Sequence, residues 1–220
     1  MDNGENIQIE RMVRQKKGRP GEEIEVLLSD ASSFFAALKS WQQHPFHEGD
    51  TLTPEDLRKL RDESATISVR SRAMALLSRA EHSHFMLSQK LVSRGHEQSI
   101  VTRVLDELAG DGLLDDARFA ASWTRDRVRR HPEGRSMLVA GLRQRGVSSQ
   151  VAEDAVSDVF ESEEFSIDEV VLSLAHRFFR ARGATPDRVT AKLLRRGFPH
   201  TVVRRAINEI SGTDPAESEE

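Results

Sequence analysis

No cysteine occurs in the chain, which excludes disulfides, thiol nucleophiles and zinc–thiolate sites. That fits a reducing compartment. Tyrosine is also absent and aromatic residues make up only 5%, so any core must be built from aliphatic side chains. Seven prolines and thirteen glycines in 220 residues leave little material for long loops. The first ten residues lack the apolar stretch of a signal peptide. Nowhere is an apolar run long enough to cross a bilayer, so a cytoplasmic protein without a membrane partner is expected.

What is abundant is charge. Charged residues account for 31% of the chain and hydrophobic ones for 37%, the profile of a soluble globular protein. The net charge of −4 averages over blocks of opposite sign. Arg118 to Arg145 holds eight arginines against Asp126 and Glu133. Glu153 to Glu169 holds eight acids and no Lys or Arg, and Arg177 to Arg205 holds nine basic residues against Asp187 alone. A partner feels such blocks within a Debye length, about 8–10 Å.

The front of the chain reads differently from the rest. Ile7-Gln8-Ile9-Glu10 and Glu23-Ile24-Glu25-Val26 alternate apolar with polar, the period of a half-buried strand. With the turn-rich Lys16–Gly21 between them they predict a β-hairpin. Ser32 to Trp41 reads as a short helix. Thr53-Pro54-Glu55-Asp56 is a helix start, with Thr as cap and acids on the positive end of the dipole. This front unit is expected to end near Glu63.

From Ser71 onward the pattern is helical and repeats. Arg94-Gly95, Arg145-Gly146 and Arg196-Gly197 place glycines 51 residues apart twice over. Leu91, Leu142 and Leu193 stand four residues before each glycine. Ile100, Val151 and Val202 stand five after, and Leu105, Val156 and Ile207 ten after. Several columns in register mean an internal repeat. Each unit reads as three helices, the second ending at a left-handed glycine. First helices are expected at Arg72–Arg79, Arg118–Arg130 and Val170–Ala181, and second helices from Ser83, from Gly134 to Ser136, and from Thr185-Pro186. The expected fold is mostly α: three tandem three-helix modules (70–116, 117–162, 166–212) in an elongated curved array, after a β-hairpin segment (1–65) and before a disordered acidic tail (213–220).

On the chemistry, Asp115-Asp116 precede a helix, where a carboxylate caps backbone N–H groups, so a catalytic pair is the weaker reading. His82, His84, His96, His131, His176 and His200 lack metal-ligand spacing, and no phosphate loop or serine-nucleophile motif occurs. No cofactor, no metal and no enzymatic activity are expected. The strongest candidates are arginines. Arg118, Arg125 and Arg129 share one face of a helix, and Arg127 and Arg130 widen it. Arg135, Arg143, Arg145, Arg195 and Arg196 extend the candidate surface. The competing reading is internal pairing, with Glu153, Asp154 or Asp158 as partners. Trp123 shares a stripe with Phe119 and reads as core packing before base stacking.

Ala80-Glu81-His82-Ser83 with Leu87, Lys90-Leu91 and Arg94-Gly95 resembles the opening of the RecX regulatory proteins. Gly112-Leu113-Leu114-Asp115-Asp116-Ala117-Arg118-Phe119-Ala120 resembles that family's signature. Lys192-Leu193-Leu194-Arg195-Arg196-Gly197-Phe198 repeats the theme, and Glu48-Gly49-Asp50-Thr51-Leu52-Thr53 resembles its lead-in. One departure is Phe85-Met86, where the family often carries a carboxylate, so no reciprocal capping-box carboxylate is expected for the Ser83 cap. The resemblance implies a monomeric regulator lying in the groove of the RecA–DNA filament. It would modulate recombinase and co-protease activity in DNA repair and the SOS response, with inhibition the leading expectation. Two other readings stay open: a helical module acting directly on DNA, and a repeat scaffold for an unrelated partner.

Overall fold

The computed structural model describes residues 6–14, 23–43, 46–162 and 166–212. The expected Lys16–Gly21 turn and the acidic tail at 213–220 lie outside the described residues. The chain divides into two compact units, Met1–Leu114 and Asp115–Glu220.

The first unit opens with an antiparallel sheet in the order β3-β2-β1-β4. Its strands are β1 (Ile7–Arg14), β2 (Glu23–Leu28), β3 (Ser33–Ala37) and β4 (Thr51–Leu52). The hairpin pairing of β1 with β2 is as expected, Met12 opposite Val26. The expected helix from Ser32 is corrected: only α1 (Leu38–Gln43) is helical, and Ser33 to Ala37 pair with β2. Phe34 and Ala36 are buried while Phe35 is exposed. That two-residue period is hidden in a run apolar enough to read as helix.

The expected boundary near Glu63 is also corrected. α2 runs without a break through Pro54–Leu77. Thr53 caps it with the reciprocal box to Asp56, and after Pro54 no glycine or proline interrupts it. Leu57 and Leu60 cover the sheet beside Trp41, Ile9 and Val26. Val69 and Ala73, two to four turns on, belong to a second core with Leu87, Leu91, Val104, Leu105 and Leu108. One helix therefore closes the sheet and serves as the first helix of the first module. α3 (His84–Val92) and α4 (Gln98–Gly110) complete that module. Arg70 bridges α2 to Glu107 (3.2 Å) and Asp111 (2.9 Å), and Arg103 reaches back to Asp62 (3.0 Å).

The second unit repeats the plan twice, as α5 (Asp116–Arg130), α6 (Arg135–Arg143), α7 (Ser149–Phe160), then α8 (Ile167–Phe179), α9 (Pro186–Arg195), α10 (His200–Ser211). The starts His84, Arg135 and Pro186 follow the 51-residue register, as do Asp116 and Ile167. Caps fall where the sequence placed them, with Ser83, Gly134 and Thr185 opening the second helices. Ser83 accepts from the Met86 N–H (3.2 Å).

Gly95, Gly146 and Gly197 adopt φ of +88°, +81° and +80° in the turn after α3, α6 and α9. Leu91, Leu142 and Leu193 behind them are fully buried, each contributing roughly 1.5–3 kcal/mol. The residue after the glycine folds inward too, as Val147 and Phe198, both 3% exposed. The column five residues after the glycine is buried only at Ile100; Val151 and Val202 are half-buried.

Within the second unit the two modules meet backbone to backbone. The Gly134 N–H donates to the Arg196 carbonyl (2.8 Å). A Cβ on Gly134 would lie 1.8 Å from the Gly197 oxygen, so no larger residue fits.

Gly146→Val is expected to lose about 1–2 kcal/mol, because a β-branched residue is strained at positive φ; an unchanged melting temperature would show that the turn tolerates a side chain. Gly134→Ala acts by collision instead, with an expected loss of about 1–3 kcal/mol. Thermal melts of the two single variants check both.

Candidate functional site: a basic face on the second module

α5 owes its position to local signals. Asp115 accepts the Ala117 and Arg118 N–H groups (2.8 and 3.0 Å), which makes it the helix cap. Phe119, Ala120 and Val128 turn inward against α6 and α7. The arginines fall on the remaining circumference.

Their partners sort them. Asp126 and Glu133, the two acids of the block, hold three of the eight. Arg129 and Arg130 both reach Asp126 (3.5 and 2.8 Å). These are exposed pairs within one helix, worth about 0–1 kcal/mol, and they yield readily to a phosphate or another carboxylate. Arg127 is different. It grips Glu133 with two hydrogen bonds (2.7 and 3.1 Å), and Glu133 is only 19% exposed. That hydrogen bond holds the guanidinium above its ordinary pKa. Arg127 thus ties the last turn of α5 to the loop before α6.

Arg145 lies over the Trp123 ring (4.7 Å to the centroid) and donates to the Gly141 carbonyl (2.7 Å). Trp123 also packs against Gly141, where a Cβ would sit 2.7 Å from the indole, so the indole is part of the packing. Arg135 crosses to Ser157 (2.8 Å), lies over Phe160 and approaches Glu161 at 3.9 Å. Arg196 donates to the Pro132 carbonyl (3.2 Å) and so anchors the joint between the two modules. Arg195 is exposed and bonds back to Ala191 of its own helix (3.3 Å). Ion pairs join the arginines of this block to Asp115, Asp126, Glu133 and Glu161.

The available surface is therefore narrower than the sequence suggests. Arg118, Arg125, Arg129 and Arg130 are exposed along α5. Arg118 lies 3.8 Å from Asp115, whereas Arg125 and, on α6, Arg143 make no hydrogen bond or ion pair among the described residues. Arg127, Arg135, Arg145 and Arg196 are committed to the fold. The joint at Gly134, and the placing of Lys192, Arg196 and Arg177 at 3.9, 5.3 and 5.6 Å from the Phe178 ring centroid, were not read from the sequence. The only signal for the second was the spacing of Lys192 and Arg196, one helical turn apart.

No three His, Asp or Glu side chains gather as a metal site among the described residues. His82 is buried; its Nε2 accepts from the Lys90 ammonium (2.7 Å), which leaves Nδ1–H to donate to the Ala80 carbonyl (2.8 Å). No described helix is long and apolar enough to cross a membrane.

Two family models match this chain: the first three-helix domain of RecX over residues 70–108 and the second over 115–156. The regulatory protein RecX of Halorhodospira halophila is 39% identical over 149 residues, covering 65% of this chain and 88% of that one. The chain belongs to the RecX family. The RecX of Treponema pallidum is 36% identical over 135 residues, covering 61% of this chain and 80% of its own. A crystal structure of a regulatory protein RecX superposes with a TM-score of 0.65 over 91% of this chain and 98% of that one, at 22% identity. RecX from Lactobacillus salivarius gives 0.57 over 67% and 97%, at 18% identity. The matched spans hold the first two repeats, and the basic face of α5 falls within the second.

Arg127→Ala is expected to cost about 1 kcal/mol, because it strands a half-buried Glu133. Arg129→Ala should stay within about 0.5 kcal/mol of the parent. Equal melting shifts for the two would contradict this division into structural and available arginines.

Proposed function

We propose that the chain is a non-enzymatic regulator that binds the RecA recombinase filament on DNA. There it modulates, chiefly by inhibition, the filament's recombinase and co-protease activities in DNA repair and the SOS response. Family membership supports the reading, since the relatives carry the name regulatory protein RecX. The observation that carries it is the exposed arginine row Arg118, Arg125, Arg129 and Arg130. Among the described residues Arg125 makes no ion pair and Arg129 and Arg130 share the exposed Asp126, so an acidic filament surface or a phosphate can take up these charges at little cost. The protein acts as a cytoplasmic monomer and needs no cofactor in this reading.

The Arg125, Arg129 and Arg130 to Ala triple variant tests it. Alanine favours helix, so the circular dichroism spectrum and melt should be preserved. Retention on RecA filaments should fall, with a flatter salt dependence than the parent. Parental affinity and salt slope in a folded triple variant would sink the proposal. Naked DNA at matched salt serves as the comparison; stronger retention on it than on filaments would favour a module acting directly on DNA.

A further inference from the structure

The turn that ends the second helix carries one odd residue among the three modules. The position after the left-handed glycine is Val147 in the second module and Phe198 in the third, both 3% exposed. In the first module it is His96, half-buried. The backbone does not tell the three apart. Gly95 has φ of +88° against +81° and +80° for Gly146 and Gly197. The His96 N–H donates to the Leu91 carbonyl (3.4 Å) as the Val147 N–H does to that of Leu142 (3.2 Å). One titratable ring therefore occupies a place that the fold shapes for an apolar side chain.

Its surroundings suit only the neutral ring. Arg72 faces it from α2 and Arg94 from the turn itself. Glu97, the next residue, is taken by the Ser99 hydroxyl. Among the described residues the side chains of Arg72, Arg94 and His96 make no hydrogen bond or ion pair. Burial first, then the two guanidinium charges, holds His96 below its ordinary value of 6.5. Where the first module has Arg72, the other two carry Trp123 and Leu174, so the first alone sets a cation of its first helix against this turn. The turn is also open. Nothing among the described residues lies within 4 Å of where a Cβ on Gly95 would stand, whereas Ser136 and Met137 cover Gly197. No described neighbour stands in the way of an outward swing.

We propose that His96 is a proton-operated latch on the first module: neutral, it lies inward and joins α3 to α4; protonated, it leaves with its turn and loosens that joint. A charged imidazolium here would meet two arginines and no acid in a half-buried place, so proton uptake favours the opened turn. The sign follows from linkage. A histidine whose folded value is lowered contributes stability that is present above the unfolded value and is lost as pH falls through the folded one. The joint is therefore firm at neutral pH and weakens below 6.5. Val147 at the same position shows that the turn itself requires no titratable group. The latch concerns the first module alone and holds whatever the chain binds.

The test follows the full chain by NMR titration of its histidine rings and by amide hydrogen exchange. The His96 signal is identified by its loss in His96→Val, and it should titrate below 6.5. Between about pH 7.5 and about pH 5.5, exchange at residues 95–98, corrected for its intrinsic pH dependence, should quicken, while exchange at 146–149 stays constant. The gain approaches about tenfold for each unit by which the folded ring lies below its ordinary value, so one measurement sets the other. His96→Val takes the second module's residue; it should abolish the gain and lose less melting temperature on acidification than the parent. Arg72→Gln should move the ring's midpoint upward and shrink the gain. Should His96→Val fail to fold, the two turns of the parent still decide. A ring that titrates at or above 6.5, equal quickening at both turns, or a gain that survives in His96→Val would overturn the latch.

Discussion

The turn after the second helix of each module asks the backbone for a conformation that side chains other than glycine adopt only with strain. Everything around it is arranged by that demand. A left-handed residue reverses the chain tightly enough for the next residue, Val147 or Phe198, to fold back into the core that Leu142 or Leu193 has already closed. The third helix then begins at a fixed distance, and the 51-residue register follows from repeating one turn three times. In the second unit the same turn has a further duty. Because Gly197 carries no side chain and faces Gly134, two modules meet through their backbones, with Arg196 hydrogen-bonded across the seam from both ends of its residue.

Charge is distributed by the same logic of position. Arginines that sit at seams and loop entries are spent on carbonyls, aromatic faces or a half-buried acid. On the outer face of α5, Arg129 and Arg130 share the exposed Asp126, and the cations around Phe178 have no carboxylate partner among the described residues. A count of arginines in a segment does not separate these roles. Geometry does, because a bidentate pair with a shielded Glu133 and a loose pair with Asp126 differ in solvent exposure and not in composition.

Much of the fold was legible because its signals are local. Caps at Thr53, Ser83, Asp115 and Thr185, and the leucine and glycine columns, each act within a few residues and can be read one at a time. Two features escaped for the opposite reason. Ser33 to Ala37 become a strand only through pairing with β2, a contact with no trace in a run of Phe and Ala. The polar middle of α2 looks like a boundary because the helix there passes from one core to another. The candidate site shows the same split. The helical face of Arg118, Arg125 and Arg129 follows from spacing, and so do the pairs with Asp126 three and four residues away. The bond from Arg196 to Pro132 spans 64 residues and no periodicity announces it.

The undivided α2 has a consequence for how the first unit comes apart. Its first turns are fixed by the sheet and its last turns by α3 and α4, and a helix gains stability cooperatively along its length. Neither core can lose its grip without fraying the rod that the other leans on. The sheet and the first three-helix module are thus thermodynamic partners that melt as one foldon, although among the described residues their buried apolar side chains form two separate clusters.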